Sequence, residues 1–158
     1  MKIGILTAMT SEYEQLAALL ENGAECTVGK FKYLIGRLGK NEIVLRQCGI
    51  GKVNAALCVQ ILCDCYGVSH VVNTGIAGSL CAELDIGDLV VSRDAMYHDF
   101  DCVHFGYPMG KVPGMDVVAF PADDKLAELA YVAAEEINPG HTKRGRVASG
   151  DCFVADKT

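Results

Sequence analysis

A chain of 158 residues has the length of one domain, and burial of about 68–70% of its unfolded surface makes stapling by disulfides or metal unnecessary. Its 14 basic and 20 acidic side chains leave a net charge of −6, with Lys143–Arg146 as the densest basic stretch. Nucleic acid and anionic membrane, which select broad basic faces, are thereby excluded as expected partners. The eight cysteines form no Cys-x-x-Cys pair, so zinc ribbons and thioredoxin-type redox motifs are excluded as well.

The N-terminal apolar run, Lys2–Thr7, is too short for a signal peptide or a membrane span. The expectation is a cytoplasmic protein with reduced thiols. Lys2–Thr7 reads as a buried strand. Glu12–Leu20 reads as a helix stopped by Asn22-Gly23. Phe31–Leu38 and Glu42–Cys48 read as a hairpin around the three residues Gly39-Lys40-Asn41. Lys52–Tyr66 is apolar on nearly every side, which predicts a buried helix ended by Gly67. His70–Asn73 is a short strand running into the glycine-rich NTGIAGSL. Asp88–Ser92 is another strand, Tyr97–Gly114 is irregular and aromatic, and Asp123–Ile137 is an amphipathic helix stopped before Pro139. Arg146–Ser149 is a last strand. Hairpin strands followed by alternating helix and strand predict an α/β fold, a three-layer αβα sandwich around a mixed, mainly parallel central sheet. No repeat, low-complexity segment or linker divides residues 1–158, so a single domain is expected. Thr158 stands just past a strand exit, where α/β proteins place ligands, so the expectation is a domain incomplete at its C-terminus.

Glu12 is the first candidate for chemistry. Ser11 and Glu14 fit the Ser-x-x-Glu capping box, which puts Glu12 at the first helical position. A carboxylate there stabilises the helix by about 0.3–1 kcal/mol through the dipole. Equally, a carboxylate at the carboxyl end of a strand faces the usual crevice and serves as a base or orients a water. CGIGKVNAA resembles an anion-binding turn but is not a P-loop, since Arg46 and Val53 occupy two required positions. Asn54 likewise breaks the dinucleotide fingerprint. In NTGIAGSL, Gly75 and Gly78 allow backbone to come close to a ligand, or simply make a tight turn. In YHDFDCVHFGY, residues His98, Cys102 and His104 would share one face of an extended segment. The close pairs of a structural zinc site are lacking, and Phe100, Phe105 and Tyr107 read better as an apolar wall or interface.

GILTAMTSE, CGIGKVNAA, NTGIAG, YHDFDCVHFGY and SGDCFV resemble, in order and spacing, the bacterial 5′-methylthioadenosine/S-adenosylhomocysteine nucleosidases of the nucleoside phosphorylase superfamily. Motifs in register are far more specific than any one of them. The resemblance covers the whole chain but about the first two-thirds of such an enzyme. It implies hydrolysis of an N-glycosidic bond, releasing adenine with 5-methylthioribose or S-ribosylhomocysteine, without metal or organic cofactor. It implies that Glu12 holds and activates the attacking water, beside Ala8 and Met9. Ile50 would face ribose and thioether, while Ile76, Ala77 and Gly78 lie against the nucleoside. Phe153 would stack on adenine and the backbone of Val154 would read the base edge. Phe105, Tyr107 and Pro113 would reach into the partner's alkylthio pocket, which implies a homodimer with shared sites.

Ile76 departs from the resemblance, because many members carry Ser there. The adenine-protonating Asp and the ribose-binding Met-Glu segment of such enzymes fall beyond Thr158. Little or no hydrolysis is therefore expected of the 158-residue chain by itself. Two other readings stand beside this one. One is another hydrolase or phosphorylase of the same superfamily, for which Arg46 is the obvious phosphate ligand. The other is a non-catalytic module that binds adenine nucleosides.

Overall fold

The computed structural model describes residues 1–154. The chain divides into two compact units, Met1–Ala77 and a second beginning at Gly78. The division falls inside the glycine-rich NTGIAGSL. The α/β class and the mixed pairing are as expected. The strands of each unit are ordered in a sheet.

The first unit contains β1 (Lys2–Thr7), α1 (Thr10–Ala17), β2 (Glu21–Val28), β3 (Phe31–Leu38), β4 (Asn41–Gln47), α2 (Lys52–Tyr66) and β5 (His70–Asn73). Its strand order is β2-β3-β4-β1-β5. The β2–β3 and β3–β4 pairs are antiparallel, whereas β1 runs parallel to both β4 and β5. The expected predominance of parallel pairing does not hold in this sheet. Two-residue turns, Gly29-Lys30 and Gly39-Lys40, force the hairpins. Gly29 and Gly39 take φ of 61° and 55°, the left-handed first position that such turns reserve for glycine. The β3–β4 loop is thus one residue shorter than expected, because Asn41 already pairs with Leu38.

The expected helix over 12–20 is present with shifted bounds, and strand β2 replaces its expected Asn22-Gly23 stop. Helix α1 begins at Thr10 and ends at Ala17, and Asn22-Gly23 lie in β2. Asn22 does adopt a left-handed φ of 54°, but at a bulge where the register shifts between Glu21 and Ala24. The residues ENGAECTV are poor strand formers, and they form an exposed edge whose charges discourage pairing with other chains.

The core of this unit is Leu6, Tyr33, Val44, Cys58 and Leu62, all essentially inaccessible. Gly4 seats α2 on β1: a Cβ at residue 4 would stand 2.8 Å from Leu62 Cδ1. The Tyr33 and Tyr66 rings add a tilted contact with centroids 4.9 Å apart. Helix α2 has the expected bounds, and Gly67 closes it in the left-handed conformation. It is not buried on every side. Only Cys58 and Leu62 are buried, and Val53 is 70% exposed.

The second unit contains β6 (Leu89–Tyr97), a 3₁₀ turn at Val103–Phe105, β7 (Ala119–Pro121), α3 (Asp124–Ile137) and β8 (Thr142–Ser149). Strand β6 is central, antiparallel to β7 and parallel to β8. Strands β6 and β8 are longer than expected and β7 was not expected at all. The charged residues Arg93, Asp94, Lys143 and Arg144 concealed these extensions in the sequence. In the sheet several of these charges are paired. Arg146 grips Asp94 with two donors, Nη2 to Oδ2 at 2.9 Å, beside the register shift between Ser92 and Asp94. Asp123 caps α3 by accepting the Leu126 N–H at 2.9 Å.

Candidate functional site

Glu12 sits where three backbone segments converge. Strand β1 ends at Thr7 and releases Ala8 and Met9. Strand β5, parallel to β1, ends at Asn73 and releases Gly75 and Ile76. The Thr74 N–H donates to the Leu6 carbonyl at 3.1 Å, which keeps the second exit beside the first. Glu12 Oε2 accepts the N–H of Ala8 and that of Met9, both at 2.9 Å. Oε1 accepts the Ile76 N–H at 3.1 Å.

This arrangement corrects the expected capping frame. Met9 is the N-cap, and Glu12 is the third helical residue instead of the first. Thr10 and Ser11 belong to the helix, so Ser11 is not the cap. Glu12 supplies the carboxylate half of a capping box to the Met9 N–H. Thr10 is held in turn, since the Gln47 side chain donates to its hydroxyl at 3.1 Å.

Gly75 plays a part different from the expected one. A Cβ at this position would stand 2.8 Å from Glu12 Oε1. The absent side chain thus lets the carboxylate, instead of a ligand, approach the backbone. At Gly78 an added Cβ meets nothing within 4 Å.

Two opposing influences act on the Glu12 carboxyl. Burial pushes its pKa up, but the N–H donors of Met9, Ile76 and Ala8 together hold it below the ordinary value of 4.5. Glu12 is therefore ionised at neutral pH. Oε2 takes two of the three donors and Oε1 takes one, so Oε1 retains capacity to accept a hydrogen from water. The neighbouring Cys48 thiol is pushed up, chiefly by burial, and its Sγ lies 3.2 Å from the Thr7 carbonyl. A thiol so placed is a poor nucleophile.

The remaining candidates of the first unit surround different ground. Ala8 and Met9 are half-buried and give their N–H groups to Glu12. The Ile76 side chain is 83% exposed while its N–H serves Glu12. The expected loss of a polar contact at this position leaves the backbone bond untouched. Ile50 is exposed in the turn before α2, between Gly49 and Gly51 at φ of 85° and 104°. Asn54, a residue the sequence reading used only to exclude a motif, closes that turn: its side-chain amide donates to the Ile50 carbonyl at 2.7 Å. Ala77 is exposed at the end of the first unit.

Gly78 opens the second unit, which also carries Phe105, Tyr107, Pro113, Phe153 and Val154. Phe105 is 81% and Phe153 91% exposed, an unusual state for large apolar rings. Val103–Phe105 is a 3₁₀ turn, so His98, Cys102 and His104 do not lie on one extended strand. Among the described residues no group of three His, Cys, Asp or Glu side chains is placed to hold a metal ion. Among the same residues no helix is long and apolar enough to cross a membrane.

The phosphorylase superfamily profile fits residues 2–158. The chain belongs to the phosphorylase superfamily. Within that superfamily it is similar to the 5′-methylthioadenosine/S-adenosylhomocysteine nucleosidase of Halalkalibacterium halodurans, at 40% identity over 98% of this chain and 66% of that protein. The nucleosidase of the same name from Psychromonas ingrahamii is 38% identical over 100% of this chain and 68% of its own. Among solved structures, the S-adenosylhomocysteine nucleosidase of Streptococcus pyogenes superposes with a TM-score of 0.93 at 37% identity, covering 98% of this chain and 65% of that one. The methylthioadenosine/S-adenosylhomocysteine nucleosidase of Colwellia psychrerythraea, in complex with adenine, gives 0.92 at 38% identity, covering 97% and 63%. The chain thus spans about two thirds of the length of these superfamily relatives.

Proposed function

We propose that this superfamily member serves the hydrolysis of the N-glycosidic bond of 5′-methylthioadenosine and S-adenosylhomocysteine. The observation that carries the reading is the Glu12 carboxylate, ionised and aimed by three backbone N–H groups at the carboxyl ends of two parallel strands. As the bond to adenine breaks, the ribose carbon takes on oxocarbenium character, as in glycoside hydrolysis. Water must then be held on the face opposite the leaving base. Glu12 orients that water through Oε1 and accepts its proton as the new C–O bond forms. Adenine leaves once a ring nitrogen is protonated by a separate acid. Ala8, Met9, Ile50, Ile76, Ala77 and Gly78 are assigned to the nucleoside pocket, with Phe153 stacking on the base and the Val154 backbone reading its edge. The protein acts as a cytoplasmic homodimer in which Phe105, Tyr107 and Pro113 serve the partner's alkylthio pocket. No cofactor takes part in this chemistry.

Phosphorolysis is less well supported. Arg46, the one cation that suggested it, donates through Nη1 to the Lys32 carbonyl and lies over the Phe31 ring at 5.4 Å. The Glu12 anion would also repel phosphate. The test is adenine release by the protein isolated from its source, with its intact mass determined alongside. Release from both substrates without phosphate, lost by at least about 10²-fold in Glu12→Gln, is the expected result. Phosphate-dependent release with ribose 1-phosphate as product, or undiminished release by E12Q, would overturn the reading.

A further inference from the structure

The base-reading segment Cys152–Val154 follows strand β8 with no secondary structure of its own. What fixes it lies on the neighbouring strand exit. Strands β6 and β8 end side by side, with Tyr97 opposite Ser149. The His98 N–H donates to the Ser149 carbonyl at 3.1 Å, extending the pairing by one bond. One residue further, the Asp99 Oδ2 accepts the Asp151 N–H at 2.8 Å. Between these two bonds stands Gly150. A Cβ there would lie 2.3 Å from His98 Nε2 and 2.9 Å from Asp99 Cγ. The volume a side chain would need at residue 150 is filled by His98 and Asp99. A larger residue at 150 would have to displace both the His98 ring and the Asp99 carboxylate, and the carboxylate holds the Asp151 N–H.

From this interlock we infer that Asp99, with Gly150, is a positioning residue for adenine recognition: it sets the direction in which the chain leaves β8 and hence where the Phe153 ring and the Val154 backbone are presented. The inference rests on the nucleosidase reading for the role of Phe153 and Val154. The interlock itself rests only on the second unit's geometry. Asp99 does not touch the base. It acts through the Asp151 N–H, and a carboxamide oxygen keeps an acceptor for that hydrogen, weaker than the carboxylate but in the same place.

Calorimetric titration of adenine and hypoxanthine into the protein and its variants tests this. Asp99→Ala and Gly150→Ala should each weaken adenine binding by about tenfold or more and narrow its discrimination from hypoxanthine. Asp99→Asn should stay within about threefold of the parent, because the acceptor is retained. All three should remain folded by circular dichroism and bind with unchanged stoichiometry. Fewer competent molecules at unchanged affinity, or outright unfolding of D99A and G150A, would make the contact a structural one and overturn the inference. So would parental affinity and discrimination in both variants. A parent protein that binds no adenine overturns the nucleosidase reading and this inference with it; a parent that binds while D99A and G150A bind equally well overturns the inference alone.

Discussion

Glu12 has its character from neighbours that are far away in the chain. Ala8 and Met9 precede it closely, but Ile76 is 64 residues on. That an acidic residue stands in the first helical turn after a strand end is legible from KIGILTAMTSEYEQL. The third donor, and the need for glycine at residue 75, become visible once β5 lies beside β1. Gly75→Ala should leave the fold intact, since the group it displaces is the end of a flexible side chain. The carboxylate would shift by a sizeable fraction of an ångström, and kcat should fall by up to about 10²-fold with KM changed much less. Steady-state kinetics of G75A, with an unchanged unfolding midpoint, checks this.

The depressed Glu12 pKa also fixes a pH dependence at this scale. The unfolded carboxyl titrates at its ordinary value, 4.5, and the folded one lower, so the folded state binds fewer protons. The stability Glu12 contributes is therefore fully present above about pH 4.5 and is lost as pH falls through the folded pKa. Parent and E12Q unfolding curves should run parallel between pH 5 and 8 on the scale of Glu12 titration and converge in the acid range. Convergence near neutrality would mean that the carboxyl is not held by its three donors.

Among the elements, β1 and α2 show how much local pattern conveys. Both have the bounds expected from apolar runs and from Gly67 as a stop. Strand β2 does not, because Glu21, Asn22 and Gly23 carry loop chemistry and only pairing with β3 makes them a strand. Strands β6 and β8 were half legible for a related reason: their charged halves are stabilised by partners such as Arg146 and Asp94, which sequence periodicity does not register. The contact between β1 and α2 makes a quantitative test. Leu62→Ala leaves a cavity at a fully buried site and should cost about 2–5 kcal/mol. Gly4→Ala drives a methyl group against Leu62 and should cost about 1–3 kcal/mol by overpacking. Together the changes should cost less than the sum of the two, since each vacates what the other overfills. Urea unfolding with a constant m-value measures the coupling; strict additivity would show that the close approach is relieved elsewhere.

For the whole molecule, the decisive question is whether one site draws on two chains. Phe105 is 81% exposed, and Tyr107 and Pro113 are exposed further along the same loop, apolar side chains of the kind that mark an interface. Under the proposed homodimer, each site takes Glu12 from one subunit and Phe105 from the other. Homodimers of E12Q lack the base at both sites, and homodimers of Phe105→Ala lack the ring at both. In a mixed dimer one site inherits both defects and the other inherits neither. Random exchange makes about half of the dimers mixed, so about a quarter of all sites should regain native kcat and KM. Each variant alone should show none of these native sites at any concentration. Mixing the two variants of the protein isolated from its source, followed by adenine release, makes the comparison. Activity that remains the plain average of the two parents would place Glu12 and Phe105 in service of the same chain, and the shared-site dimer would then be wrong even if sedimentation showed a dimer.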